Sequence, residues 1–154
     1  MIIDSNGTFS ASQAITGTAI SQNVLDLRNA AAPAVADDGI RGGAAGVWLW
    51  LEIIVTQAFN NLTSLTITLE SDSAAGLSTA PVIHLSTGAI PLASLTLGAR
   101  LARWRLPSTD YKRYTGLRYT VAGTNPSQGA LFAAIGPGLS SRNTMYPNGF
   151  AIVG

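Results

Sequence analysis

Apolar and polar side chains alternate with a period of two along much of this chain, which is typical of β-strands rather than helices. The clearest run is VWLWLEIIVT, residues 47–56. In it Leu51 and Ile53 share one face with the other odd-numbered positions, and Trp50 and Glu52 share the opposite face. The alternation predicts a strand with one buried and one outward face.

The same pattern and its interruptions predict the fold class. Further strands are predicted at 65–71, 116–123 and 130–136, and weaker ones at 14–19, 24–27, 81–85, 92–96 and 101–106. Clusters of turn residues separate them at 5–7, 58–61, 71–76, 107–110 and 123–129. Eight or so short strands without a convincing helix predict an all-β protein, an antiparallel β-sandwich of jelly-roll-like or Greek-key type.

The length of 154 residues predicts one domain, with two segments that do not fit a compact core. We expect the sandwich to span residues 1–136 and to carry a flexible Ala/Gly-rich loop at 30–46. Residues 137–154 contain Pro137 and Pro147 but also many apolar side chains. They are interpreted either as an extended arm that clamps a neighbouring subunit or as a last edge strand folded back on the sandwich.

Charge is scarce and unevenly placed. Charged residues make up 11% of the chain, against about 25% in ordinary soluble domains. Six of the nine basic residues lie between Arg100 and Arg118, where Asp110 is the one acid. Cysteine is absent, and no apolar stretch approaches the ~20 residues of a membrane-spanning helix. A surface this poor in charge indicates a protein that works inside an assembly, although a small-residue-rich sandwich with an uncharged polar exterior has the same composition.

The sequence offers little for catalysis or metal binding. His84 is the single histidine and lies among apolar residues in PVIHLS. Asp37 and Asp38 read as an exposed turn, because no calcium-loop pattern surrounds them. Glu52 and Glu70 could form a glycosidase pair but fit outward strand positions better. We therefore predict no enzymatic activity, no catalytic or metal site and no cofactor.

Arginine and tyrosine alternate in the basic window, and both residue types are enriched at protein interfaces. Arg103 and Arg105 share one strand face, and Trp104 is expected to fill the core behind them. The predicted contact residues there are Arg103, Arg105, Tyr111, Arg113, Tyr114 and Arg118; Tyr146 and Phe150 are predicted for the C-terminal arm, and Ile2, Ile3 and Phe9 for an N-terminal arm. Single-stranded nucleic acid is the alternative ligand for such a window, but the nearly neutral charge favours a protein partner.

Three segments carry a family resemblance. FSASQAIT (9–16), TITLESDSAAGLS (66–78) and above all RYTGLRYTVAGTNPSQGALFAAI (113–135) are similar to the small capsid cement proteins of tailed bacteriophages, of the Bbp16 type. The resemblance runs from about residue 4 to 136. The loop at 30–46 and the tail after Gly136 look longer than the family pattern.

The resemblance implies a jelly-roll-like sandwich without enzymatic activity. It implies a position on the outer surface of the virion capsid, bridging and stabilising neighbouring major capsid protein subunits. It also implies self-association, as a dimer or alternatively a trimer, with no direct nucleic-acid contact and no membrane. The alternative from another class is a glycan-binding sandwich for host recognition, because Trp48 and Trp50 face the same way and could form a sugar platform.

Overall fold

The computed structural model describes residues 7–27 and 49–137. Within them the chain forms nine strands: β1 (Thr8–Ala14), β2 (Ala19–Ile20), β3 (Leu25–Asp26), β4 (Leu49–Gln57), β5 (Leu62–Asp72), β6 (Val82–Pro91), β7 (Arg100–Arg105), β8 (Tyr114–Gly123) and β9 (Ala130–Pro137). One 3₁₀ turn, Leu92–Ser94, follows β6. In this part of the chain no helix is long and apolar enough to cross a membrane.

The strands form two antiparallel sheets. Sheet I has the order β1-β9-β4-β7, and sheet II has the order β2-β8-β5-β6, with β3 also paired to β8. The pairs β1–β9, β2/β3–β8, β4–β7 and β5–β6 are those of one long hairpin. Rolling that hairpin up adds the pairs β4–β9 and β5–β8. This is the jelly-roll arrangement, so the predicted antiparallel β-sandwich is confirmed.

The alternation along each long strand selects the face that enters the core. Leu51, Ile53 and Val55 of β4 are buried, whereas the residues between them are only partly buried. Leu117 and Tyr119 of β8 face them from sheet II and are also fully buried. Trp104 packs against the same core from β7, as its position opposite Leu51 requires. The core therefore lies between the sheets, where apolar burial stabilises both.

Two predicted strands differ from the structure. The segment 92–96 is not a strand, because Pro91 has no N–H to continue the ladder and Leu95 N donates to Leu92 O in a tight turn. The segment 14–19 is not a strand but connects the end of β1 at Ala14 to the start of β2 at Ala19, and β1 itself, Thr8–Ala14, is not predicted by the alternation. Its small polar residues give a weak alternation, and its register against β9 shifts twice.

The connection between β5 and β6, residues 73–81, folds over the face of sheet II that is turned away from the core. We call it the arch. Leu77 at its centre is fully buried although it lies outside the sandwich core, and it adopts a positive φ of 49°. Thr68 and Glu70 on the outward face of β5 are buried as well. The arch therefore covers these polar side chains of β5 and shields them from solvent.

Asp72 ties the two ends of the arch together. Its carboxylate accepts hydrogen bonds from the backbone N–H of Ser73 at 2.7 Å, of Thr79 at 2.8 Å and of Ala80 at 3.2 Å. Burial acts to raise the pKa of Asp72, but these three donors and the nearby Lys112 outweigh it and hold that pKa below its usual value. Lys112 Nζ also donates to Ala80 O.

The arch requires a glycine beneath it, which generates a prediction. A Cβ at Gly116 would lie 3.1 Å from Leu77 Cδ1, from Ser21 Oγ and from Val24 Cγ2. Ser21 Oγ cannot retreat, because it accepts from Leu117 N–H and donates to Asn23 O. We expect Gly116→Ala to lower the free energy of unfolding by about 1–3 kcal/mol, measured by urea denaturation.

The matched control for this substitution is Gly76→Ala in the exposed part of the arch. There a Cβ meets only Ser78 Oγ, at 3.4 Å. The control should leave the unfolding free energy within about 0.5 kcal/mol of the wild type. Equal stability of the two variants would show that the arch does not pack tightly on β8.

Candidate interaction surface

The outward face of sheet I brings apolar, aromatic and basic side chains together. On β4, Trp50 pairs in register with Arg105 of β7, and Ile54 pairs with Phe132 of β9. Arg103 lies one pair further along β7, opposite Glu52. Trp50, Ile54, Phe132 and Arg103 are partly buried, and Arg105 is exposed. We call this set, with Arg100 and Glu52, the sheet I surface.

The sheet I surface is basic. Arg100 Nε lies 2.7 Å from Glu52 Oε1, in an ion pair whose carboxylate is only 15% exposed. Glu52 is the acid of this surface among the described residues, against three arginines. Planar guanidinium groups beside Trp and Phe side chains are the combination that dominates protein interfaces, because both types bury large areas and pair with carboxylates.

Arg113 and Tyr114 lie elsewhere and hold the chain's own elements together. Arg113 donates from Nε and Nη2 to the two carboxylate oxygens of Asp26, both at 2.9 Å. Its guanidinium also lies 4.8 Å from the centre of the Tyr114 ring. The hydrogen bonds to Asp26 raise the pKa of Arg113. This pair joins β3 to the start of β8, where both side chains remain more than a third exposed.

Arg118 points away from the core, as predicted, but its partner is inside the chain. Its Nε donates to Glu70 Oε2 at 2.9 Å, and its Nη2 donates to the backbone oxygen of Leu77 in the arch. Thr68 Oγ1 donates to the other oxygen of Glu70 at 2.6 Å. Arg118 therefore fastens the arch to sheet II instead of presenting its guanidinium to another chain.

Two other predicted contact residues are buried in the chain's own core. Phe9 lies in β1 and is 1% exposed, so its assignment to an N-terminal arm is wrong. Tyr111 is 7% exposed, stacks on His84 at a ring distance of 4.1 Å and donates its hydroxyl to Pro107 O. Burial raises the pKa of Tyr111 to about 12. Neither ring is offered to a partner.

Several predictions concern residues outside 7–27 and 49–137. These are the arm residues Ile2, Ile3, Tyr146 and Phe150, the loop at 30–46 with Asp37 and Asp38, the C-terminal segment after Pro137, and Trp48 of the proposed sugar platform. Trp50, the other half of that platform, belongs to the sheet I surface. The described part of the chain therefore contains one of the two tryptophans that the glycan alternative requires.

A serine–histidine contact exists that the sequence pattern did not reveal. Ser71 Oγ lies 2.7 Å from His84 Nε2, and Thr109 Oγ1 lies 3.5 Å from His84 Nδ1. Ser71 is fully buried, and its Oγ also accepts a hydrogen bond from Lys112 N–H. A serine in this position cannot reach a substrate, so the contact joins β5 and β6 to the β7–β8 connection. Only the strand pairing brings the two residues together.

The two glutamates considered as a glycosidase pair lie on opposite sides of the molecule. Glu52 is on the outward face of sheet I, and Glu70 is on the outward face of sheet II under the arch. Each is bound to an arginine of its own sheet. They cannot flank one scissile bond. Among the described residues no three histidine or acidic side chains gather as metal ligands.

The fold and this surface define a class: a small jelly-roll sandwich whose sheet I presents aromatic and basic side chains on its outward face. The family model Bbp16 matches residues 9–135, well over half of the chain. The chain therefore belongs to the Bbp16 family, and the match supports a phage-associated origin. No curated protein matches the chain significantly.

The contacts of Arg118 with Glu70 and with the arch generate a stability prediction. In Arg118→Met the Glu70 carboxylate, 4% exposed, loses its charged partner. We expect the free energy of unfolding to fall by about 2–4 kcal/mol, since a buried charge without its partner is strongly destabilising. Arg113→Met removes the more exposed pair with Asp26 and should cost at most about 1 kcal/mol. Chemical denaturation of the two variants compares them, and equal losses would contradict a special role for the arch.

The partly buried His84 generates a pH prediction. Burial lowers the pKa of His84 below 6.5, so the unfolded chain takes up a proton at a higher pH than the folded protein. The contribution of neutral His84 to the free energy of unfolding is thus fully present above about pH 6.5, and it declines as the pH falls below that value. Asp72 acts in a separate window, because its lowered pKa removes stability only as the pH falls below 3.8.

Thermal unfolding between pH 7.5 and 5 measures the contribution of His84. We expect the melting temperature of the wild type to fall over this range, and His84→Gln to reduce the slope. Glutamine keeps a polar side chain near Ser71 but does not titrate. Parallel curves for the two proteins would contradict the assignment of this slope to His84.

Proposed function

We propose that this protein is a capsid cement protein, bound to the outer surface of a tailed-phage head, where it bridges and stabilises neighbouring major capsid protein subunits. The observation that carries the proposal is the match to the Bbp16 family over almost the whole sandwich, residues 9–135. The capsid role itself is inferred from the sequence resemblance to phage cement proteins.

The distribution of charge supports a role in binding to another protein. Glu70, Asp72 and Asp26 are each engaged by groups of the same chain. The sheet I surface combines the partly buried rings of Trp50 and Phe132 with the exposed basic side chain of Arg105. An acidic, partly apolar patch on a capsid subunit would complement it in charge and shape.

Cement binding needs no single very strong contact. Copies repeated around a closed shell engage at many points, so moderate contacts add up to stable attachment through effective concentration. The rigid sandwich suits this role, because a preformed surface loses little conformational entropy on binding. In this proposal the protein lies outside the shell and does not touch the packaged nucleic acid.

The direct test is binding to phage heads that lack the protein. We expect purified protein to cosediment with such heads in a saturable manner and to raise the temperature at which they release DNA. Arg105→Ala should weaken binding about fivefold or more, because it removes a guanidinium from the proposed contact. Its own thermal unfolding shows whether the fold is retained.

The matched control is Thr120→Ala, an exposed position on the outward face of sheet II. It should bind heads like the wild type. Heads that neither bind the protein nor gain heat resistance would overturn the cement proposal. Normal binding by Arg105→Ala would leave the cement role intact and exclude Arg105 from the contact.

A further inference from the structure

The connection between β7 and β8, residues 106–113, is held against the end of sheet II by a polar cluster around the single histidine of the chain. His84 Nε2 lies 2.7 Å from Ser71 Oγ, and the same oxygen accepts the backbone N–H of Lys112 at 2.9 Å. On the other side of the ring, Nδ1 lies 3.5 Å from Thr109 Oγ1. We call this cluster the latch, and its members are Ser71, His84, Thr109, Tyr111 and Lys112.

The donors and acceptors of the latch fix the direction of the Ser71–His84 hydrogen bond. Ser71 is fully buried, so its hydroxyl proton needs an acceptor within the protein. Its oxygen already accepts from Lys112 N–H, and the acceptor beside it is His84 Nε2. Nε2 therefore carries no proton, and the neutral ring has its proton on Nδ1. This tautomer completes one chain of donors, since Nδ1–H is directed at Thr109 Oγ1, which donates to Asp110 O.

A proton added to His84 breaks this chain. The imidazolium has an N–H on both nitrogens, so Nε2 becomes a donor that faces an oxygen already accepting from Lys112. The buried Ser71 hydroxyl then loses the acceptor of its own proton, which is unfavourable.

We propose that the latch is a proton-operated switch: when His84 takes up a proton, its hydrogen bond to Ser71 is lost, and the middle of the β7–β8 connection detaches from the end of β5 while the sandwich remains folded. This switch is independent of the proposed function. It places a pH-dependent conformational change at one end of sheet II, where the arch and the connection meet.

The charged groups around the latch are compatible with a His84 ring that is neutral at pH 7. The titratable and charged residues on the elements packed against it are Glu70 and Asp72 on β5, and Asp110, Tyr111 and Lys112 on the connection. β6 and the arch carry none besides His84. The Glu70 carboxylate is paired with Arg118, and Asp72 accepts three N–H groups of the arch. Burial raises the pKa of Tyr111 to about 12 and lowers the pKa of His84.

The opening is local because the latch lies between two fixed ends of the connection. Leu106 N–H donates to Leu49 O at one end, and Arg113 O accepts from Leu27 N–H at the other. These backbone hydrogen bonds involve no titrating side chain. Loss of the latch therefore releases the middle of the connection, with Lys112, and leaves both ends in place.

Nuclear magnetic resonance of the imidazole nitrogens tests the proton placement directly, because the chain has one histidine. We expect the Nδ1–H tautomer at pH 7.5 in the wild type. Ser71→Ala removes the donor to Nε2, which favours the neutral ring, so His84 should titrate at a higher pH in this variant. An Nε2–H tautomer in the wild type would overturn the inference, and so would an unchanged titration midpoint in folded Ser71→Ala.

Cleavage by a lysine-specific protease measures the opening, because Lys112 is the one lysine of the chain. We expect the wild type to be cut about twofold to fourfold faster at pH 6 than at pH 7.5, the range open to a histidine whose pKa returns to 6.5 in the released form. His84→Gln keeps an acceptor for Ser71 but does not titrate, so its rate should be equal at the two pH values.

Thr124→Lys, made in both backgrounds, supplies the matched control within the same chain. Thr124 is exposed in the turn between β8 and β9, at the end of β8 opposite to the latch. The rate of cleavage after Lys112 is divided by the rate at the added lysine, which corrects for the activity of the protease at each pH.

Urea separates local opening from global unfolding. Concentrations below the unfolding transition should leave the corrected rate unchanged, whereas cleavage through the unfolded state increases with urea. A corrected rate that is equal at both pH values in the wild type would overturn the switch. The same pH dependence in His84→Gln, or a rate that rises with urea, would also overturn it.

Discussion

The whole molecule depends on the burial of one face of each sheet against the other. With no cysteine in the chain, apolar packing between β4, β5, β8 and β9 is the main source of stability, and the jelly-roll order places these four strands at the centres of the two sheets. Every other feature is added on the outward faces or at the edges. The sheet I surface, the arch and the β6 edge are therefore supported by the same core.

Most carboxylates of residues 7–27 and 49–137 connect parts of the same chain. Glu70 with Arg118 holds the arch, Asp72 joins its two ends, and Asp26 with Arg113 attaches the short strand β3. These carboxylates are engaged by side chains or backbone N–H groups, so they contribute little net charge to the surface. Internal pairing thus lowers further the net charge that the described surface presents, which is compatible with the assembly role suggested by composition alone.

Strand faces could be predicted from the sequence, whereas what lies above an outward face could not. Leu117 and Tyr119 are buried because period two dictates it, and Arg118 points outward for the same reason. The partner of Arg118 is Glu70, which the β5–β8 register places beside it, and a short-range pattern contains no register. The burial of Leu77 likewise depends on a loop that folds back over the sheet, and its small polar neighbours give no sign of this.

The closed face of sheet II also limits where partners can bind. Because the arch covers Thr68 and Glu70, a flat protein surface cannot lie directly on those strands without displacing it. The face of sheet I and the edge of sheet II remain, and they lie on different sheets of the sandwich. In the proposed function the shell therefore meets the sheet I surface. Copies repeated around the closed shell act together, so release of the layer requires many such contacts to open at once.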